Sequence, residues 1–268
     1  MSAVPGRPLP SVRVVSGPAP DAALAVVTRA PEPGRVPLGR ADEARVSVHD
    51  GRPVVEVELA DSAPRPGWSG AADHGLGHRR VGAALARHLR DSRAEGPVTV
   101  AVPGALPADR VGDLVIGYLL GARGQDVFAA DPAPVVPDLV VEVAAGPGSG
   151  DDDEVARAVA AAEEEARATA MARDLAGAPS DLKTPEWLVA RMAEALGEAG
   201  MRTEVIEGEG LVSGGFGGVL AVGGGSAAGP RVLVARRPGP GPRVLLVGKG
   251  TFGEGPDRVA RRARPGVP

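Results

Sequence analysis

From Leu24 to Val143 short apolar runs alternate with stretches in which apolar residues recur at every fourth position, and this alternation restricts the fold more than any other feature of the chain. Leu24–Thr28 reads as a strand. Val54–Leu59 (VVEVEL) shows the period-two alternation of a half-buried strand. Val98–Val102, bounded by Pro97 and Pro103, and Leu139–Val143 are two further compact apolar runs. Between them, Arg79–Arg93 sets Val81, Leu85 and Leu89 on one helical face, and Val111–Gly121 does the same with Val111, Val115 and Leu119. The stretch Arg29–Arg52 is punctuated by Pro and Gly, as turns or a hairpin would be. Strands that alternate with helices pair in parallel through crossover connections, so an α/β fold is expected.

Residues 1–22, rich in Pro, Ser and Gly, read as a flexible N-terminal segment ahead of a domain over 23–150. Gly146–Gly150 is a Gly/Pro/Ser break, and residues 151–177 after it form one long Ala, Glu and Arg helix. Asp151 with Glu154 resembles a capping box, and the acids of the first turn complement the helix dipole, so Asp151–Asp153 read as helix-start chemistry instead of a cation site. A second helix begins with Thr184 as N-cap and Pro185 at its first position, ends at Gly200, and presents Leu188, Met192 and Leu196 on one face. Strands follow at Arg202–Ile206, Val219–Val222, Arg231–Ala235 and Arg243–Val247. Residues 178–250 therefore read as the start of a second α/β unit, with an irregular tail over 251–268.

Composition narrows the functions. There is no cysteine, hence no disulfide framework, thiolate zinc site or cysteine nucleophile. A net charge of −4 and 2% aromatic residues weigh against nucleic-acid binding, which needs a basic face and rings for base stacking. The opening MSAVPGRPLP has neither a basic n-region nor an apolar h-region, and no apolar run approaches membrane-spanning length, so a cytoplasmic protein is expected. Only Lys183 and Lys249 supply lysine; every other basic residue is arginine, the mark of GC-rich coding DNA.

Several segments invite a chemical reading. Gly223, Gly225 and Ala228 fit G-x-G-x-x-A, but a strand follows where a dinucleotide site needs a helix N-terminus. VGKGT lacks the leading glycine and the magnesium-binding hydroxyl of a phosphate loop. Gly214–Gly218 reads as a tight loop. His74 and His78, beside Asp73 but separated by Gly75 and Gly77, read as a solvated loop, and His49 and His88 have no catalytic partner nearby in the sequence. Lys249 differs: it follows the apolar run RVLLV between two glycines, where α/β sheets place ligand-contacting groups, although an exposed strand-end lysine has the same pattern.

Four segments carry a resemblance. ARDLAGAPSDLKTPEWLV (172–189), GGFGGVLAVGGGSAAGPRVLV (214–234), VLLVGKG (244–250) and IGYLLGARGQDVF (116–128) resemble, in order and spacing, segments of the leucyl aminopeptidase (M17 cytosol aminopeptidase) family. The resemblance implies a macro-domain-like N-terminal α/β domain, a linker helix and a C-terminal α/β catalytic domain. It implies release of N-terminal residues from peptide substrates by two divalent cations (Mn, Zn or Mg), which polarise the scissile carbonyl and generate hydroxide. It also implies a homo-hexamer built largely by the catalytic domain. Lys249 matches the family lysine that ligates one metal and faces the substrate amine, so it is the catalytic and metal-binding candidate.

The sequence then departs from the family. After G-K-G the family continues with an Asp-containing I-T-F-D-T-G-G and later ligands; here Thr251 and Phe252 are followed by Gly253 and Glu254, and the remaining ligands are absent. The residues after Phe252, rich in Arg, Pro and Gly, resemble an out-of-frame reading of GC-rich DNA. A truncated or frameshifted family member is expected, with an incomplete catalytic domain, no stable metal binding, no peptidase activity and no hexamer. The rival reading is a non-catalytic macro-domain-like binding or assembly module.

Overall fold

The computed structural model describes residues 8–16, 23–29, 44–49, 52–58, 76–93, 95–102, 106–123, 134–143, 152–241 and 244–250. The chain divides into two compact units, Met1–Ala176 and Gly177–Pro268.

The first unit is α/β. Its strands are β1 (Val12–Ser16), β2 (Ala23–Arg29), β3 (Ala44–His49), β4 (Arg52–Glu58), β5 (Val98–Val102) and β6 (Leu139–Val143), and its helices are α1 (Leu76–Asp91), α2 (Ala108–Ala122) and α3 (Asp152–Gly177). The sheet runs β1-β6-β5-β2-β4-β3. All neighbours are parallel except β3 and β4, an antiparallel pair in which His49 faces Arg52. Every strand and helix expected between Leu24 and Val143 is present. One strand lies where a flexible segment was expected: Val12–Ser16 pairs with Leu139–Val143, and such a short edge strand, flanked by Pro and Gly, has too few residues to show a period.

α1 and α2 are brought together by glycines. A Cβ on Gly82 would fall on the carbonyl oxygen of Leu114, and one on Gly117 would fall on that of Arg79. At Gly121 it would lie 2.7 Å from the Cα of Ala83. Position 79 thus meets 117 and 83 meets 121, so the two helices run side by side in the same direction, as crossover helices of a parallel sheet do. Around this contact lies the core: Val81, Leu85 and Leu89 from α1, Val111, Val115, Tyr118 and Leu119 from α2, and Val100, Leu139 and Val141 from the sheet. The faces read from the sequence are the buried ones.

α3 adds a thin apolar stripe of Val155, Val159, Ala162, Ala166 and Ala170. Small residues let it come close to α2, where a Cβ on Gly112 would lie 3.2 Å from the carbonyl oxygen of Ala158. Polar pairs fasten its length. Arg79 Nε donates to Asp113 Oδ1 at 2.8 Å and its Nη1 to Glu165 Oε1 at 2.9 Å, while Arg123 pairs through both nitrogens with Asp174. The Arg123–Asp174 side chains are 9% and 13% exposed, so this pair is shielded from solvent, and removal of either partner strands a charge. α3 is therefore fastened to the rest of the first unit at separate points, near Ala158, Glu165 and Asp174.

The only tyrosine of the chain, Tyr118, is fully buried, and its hydroxyl donates to the Pro137 carbonyl at 2.7 Å. Burial, aided by the nearby Asp138 carboxylate, raises the phenol pKa above its ordinary value.

The second unit comprises α4 (Pro185–Glu198), β7 (Arg202–Glu207), α5 (Glu209–Ser213), α6 (Gly217–Gly223) and β8 (Arg231–Arg236). Thr184 caps α4 by accepting from the Trp187 amide at 3.2 Å, and Gly200 leaves it with φ 75°, both as read from the sequence. β7 and β8 form a two-stranded antiparallel sheet. Two expectations fail here. Val219–Val222 lies in helix α6, since a four-residue apolar run between glycine clusters has no period to separate strand from helix. Val244–Val247 has no strand partner among the described residues and is 80–90% exposed. Among the described residues of this unit only Ala178, Trp187, Leu188 and Leu211 are buried apolar groups.

Two measurements check this account. Gly117→Ala forces backbone apart and is expected to destabilise the first unit by about 1–3 kcal/mol, whereas Gly197→Ala in α4, where a Cβ meets open space, is neutral or stabilising by up to ~1 kcal/mol. Urea titration followed by far-UV circular dichroism distinguishes them. For Tyr118, the folded chain holds the phenolic proton beyond the pH at which the unfolded chain loses it, about 10. The contribution to stability is intact below that pH and declines as pH rises above it. Absorbance near 295 nm, which reads this one phenol, should show ionisation displaced to higher pH than free tyrosine, and Tyr118→Phe should flatten the alkaline loss of stability.

Candidate functional site

The site is built around Lys249, the residue that the sequence singles out. It lies on Val244–Gly250, a segment without regular structure, and is exposed. What locates this segment is the residue after the lysine. A Cβ on Gly250 would lie 2.9 Å from Cδ2 of Leu188, so the backbone at that point comes directly against α4. Leu188 is itself buried beside Trp187 on the first turn of the helix that Thr184 caps. The capping signal, the helix face and the lysine were each legible in the sequence; their meeting was not, because a contact over 62 positions leaves no periodic trace.

Arg231, at the start of β8, ties the same neighbourhood together. It pairs with Glu207 at 2.7 Å and Glu186 at 3.5 Å, and it donates to the Ala228 carbonyl at 2.9 Å. Arg191 pairs with Glu194 at 3.0 Å, while its Nε is enclosed without a hydrogen-bond partner. These links were missed from the sequence, where each arginine looked like one of many.

The other candidates do not converge on Lys249. Gly223, Gly225 and Ala228 follow helix α6 and precede strand β8, the reverse of the strand–turn–helix order that aims a helix N-terminus at a pyrophosphate. A Cβ on Gly223 would lie 2.6 Å from Cβ of Pro230, so close packing accounts for that glycine. Of Gly214–Gly218, read as a tight loop, Gly214 and Gly215 form the turn, with Gly215 at φ 74°, while Gly217 and Gly218 open helix α6. Asp152, Asp153 and Glu154 occupy the first turn of α3, as helix-start chemistry requires. His78 lies in α1 instead of a loop, where the 3.6-residue period reaches one turn further back than the glycines suggested; Asp73, His74 and Asp151 lie outside the described residues. His88 sits in the last turn of α1, and His49 ends β3 opposite Arg52.

The donor set can be tested against two cations. Two hydrated divalent ions a few ångström apart need several carboxylates around them. Among the described residues no group of three His, Asp or Glu side chains comes together. A single amine on an exposed segment does not hold such a pair, so the described residues do not fit a two-metal centre. Among the described residues, no helix is long and apolar enough to cross a membrane.

Comparison with known proteins bears on the same region. Residues 170–255 match the model of the cytosol aminopeptidase family, catalytic domain. A probable cytosol aminopeptidase of Syntrophotalea carbinolica is 36% identical over 182 residues, covering 64% of this chain and 36% of the relative. One of Streptomyces avermitilis is 34% identical over 189 residues, covering 68% of this chain and 35% of the relative. The chain thus spans about a third of the length of these curated relatives. Among solved structures, the bottromycin maturation enzyme BotP in complex with Mn is similar at TM-score 0.54 and 25% identity, over 79% of this chain and 44% of that one. A Lys-to-Glu mutant of tomato leucine aminopeptidase shares the fold at TM-score 0.62 and 16% identity, over 84% of this chain and 50% of that one.

Thr184→Ala removes the cap that starts α4 and is expected to cost about 1 kcal/mol in the second unit. Trp187 lies at the capped turn, so an emission spectrum recorded through a urea titration, compared with the parent chain, checks it.

Proposed function

This chain belongs to the cytosol aminopeptidase family, and from that premise we propose that its ancestral chemistry is the release of N-terminal amino acids from peptides, by a leucyl aminopeptidase that works with two divalent cations in the cytoplasm. The observation that carries this reading is the match of residues 170–255 to the family's catalytic domain; by the resemblance of VLLVGKG (244–250), Lys249 would stand for the family's metal-ligating lysine. In that role Lys249 would supply a nitrogen donor and face the substrate amine.

We further propose that residues 1–268 by themselves do not hydrolyse peptides. Among the described residues no donors form a two-metal site, so no hydrolytic step is assigned to them. A purified sample of the chain supplied with Mn²⁺ should release no product from a leucine anilide above the buffer rate, and the free Mn²⁺ electron paramagnetic resonance signal should be undiminished. Hydrolysis well above that rate overturns the proposal.

The alternative, a non-catalytic macro-domain-like binding or assembly module, draws support from the distribution of the core. Its buried apolar cluster lies entirely within the first unit, around a six-stranded sheet. Since α3 is fastened to the first unit through Arg79–Glu165 and Arg123–Asp174, limited proteolysis should yield a resistant fragment that ends near Ala176, not at the Gly146–Gly150 break. Equal protection through Val247 argues instead for a catalytic portion that is folded as firmly as the first unit.

A further inference from the structure

β6 reads LVVEV and is buried on both faces. Leu139, Val141 and Val143 belong to the core cluster, and Val140, which points the other way, is 5% exposed. A short run with strong strand preference and a single charge pairs readily with a copy of itself wherever its edge is open. Here the edge is closed by β1, which stands at one end of the sheet among the described residues.

β1 suits that place. It is five residues long, Arg13 on it is exposed, and prolines stand at 8 and 10 before it and at 18 and 20 after it. Its register is fixed twice. Val12 and Val14 pack against the core beside Leu139 and Val141, so a slip of one residue would turn Arg13 into the core. At the entry to the strand, both backbone groups of Ser11 are taken by consecutive residues. Its amide donates to Asp138 Oδ1 at 2.7 Å, and its carbonyl accepts from the Leu139 amide at 2.9 Å. Asp138 is held in turn: its carbonyl accepts from the Val98 amide at 2.9 Å, and the carbonyl before it, that of Pro137, accepts from the buried Tyr118 hydroxyl. The carboxylate is thus a latch mounted on β5 and α2, and Ser11 is what it fastens.

The edge beneath β1 is self-complementary. The Leu139 amide points to β1, and alternation along the strand aims the backbone groups of Val141 and Val143 the same way. A second β6, antiparallel about a two-fold axis through Val141, sets Leu139 opposite Val143 and Val141 opposite its own copy, with hydrogen-bonding groups facing at each pair. Glu142 then stands opposite Val140 and not opposite another Glu142, so no like charges meet directly. Opposed residues share a face of the sheet, so Val143 and Val141 of the second copy take the places of Val12 and Val14.

We propose that β1 is an intramolecular guard: by occupying β6 it blocks a self-association edge, and when it is displaced the β6 strands of two copies pair antiparallel and join two sheets into one two-fold dimer. The inference concerns the first unit alone and holds whether or not the aminopeptidase reading does.

Val12→Asp/Val14→Asp in the full chain puts charge where β1 packs and expels it. Light scattering over a concentration series should give 26.9 kDa for the parent chain and for Arg13→Ser, which alters only the exposed side of β1, but twice that mass for the double variant, with the helical far-UV signal kept. Hydrogen exchange read by mass spectrometry locates the contact: in the dimer the amides of 11–16 exchange fast, while those of 139–143 stay protected. Asp138→Ala leaves both valines in place and removes only the latch. It should dimerise in the same way at higher concentration, and it carries the test should the double variant lose its helices. Variants that remain single chains while the β1 amides exchange fast, or a dimer in which the amides of 139–143 also exchange fast, overturn the proposal.

Discussion

Most of what is ordered in this protein follows from how closely α1 and α2 approach. Gly82, Gly117 and Gly121 remove three side chains from that interface, so backbone meets backbone and the larger residues on either side reach the sheet. Dispersion and burial then act over many small contacts instead of a few large ones, as suits a chain with so few aromatic groups. α3 extends the same device, with alanines in place of glycines and an Arg123–Asp174 pair at its far end.

The second unit has no equivalent. Among its described residues the sheet has two strands, buried apolar groups are few, and the most apolar run faces solvent. A unit of this kind satisfies local rules, such as the Thr184 cap and the Gly200 exit, without enclosing a core. This asymmetry separates the region that resembles known proteins from the region that is best packed. The match to the cytosol aminopeptidase catalytic domain lies mainly in the second unit, while most of the packing that would hold any site rigid lies in the first.

Elements whose residues face one neighbour at a regular spacing were legible: α1 from Val81, Leu85 and Leu89, α2 from Val111, Val115 and Leu119, and the strands at 54–58 and 98–102. Elements too short for a period were not, and β1 and α6 belong to that class. Lys249 could be singled out by residue type and neighbouring glycines. Its seat against α4, through Gly250 and Leu188, could not, since it depends on how the backbone returns and not on any local preference.

The sequence by itself determined the α/β class, the caps and faces of the longer helices, and the family signature around Lys249, because these rest on local spacing and residue chemistry. Only the tertiary structure decided which strand pairs with which, that α3 packs along the first unit, and that Val244–Val247 remains exposed with the lysine beyond it. Those outcomes depend on which distant surfaces are present to be buried, and distance in space is not written in distance along the chain.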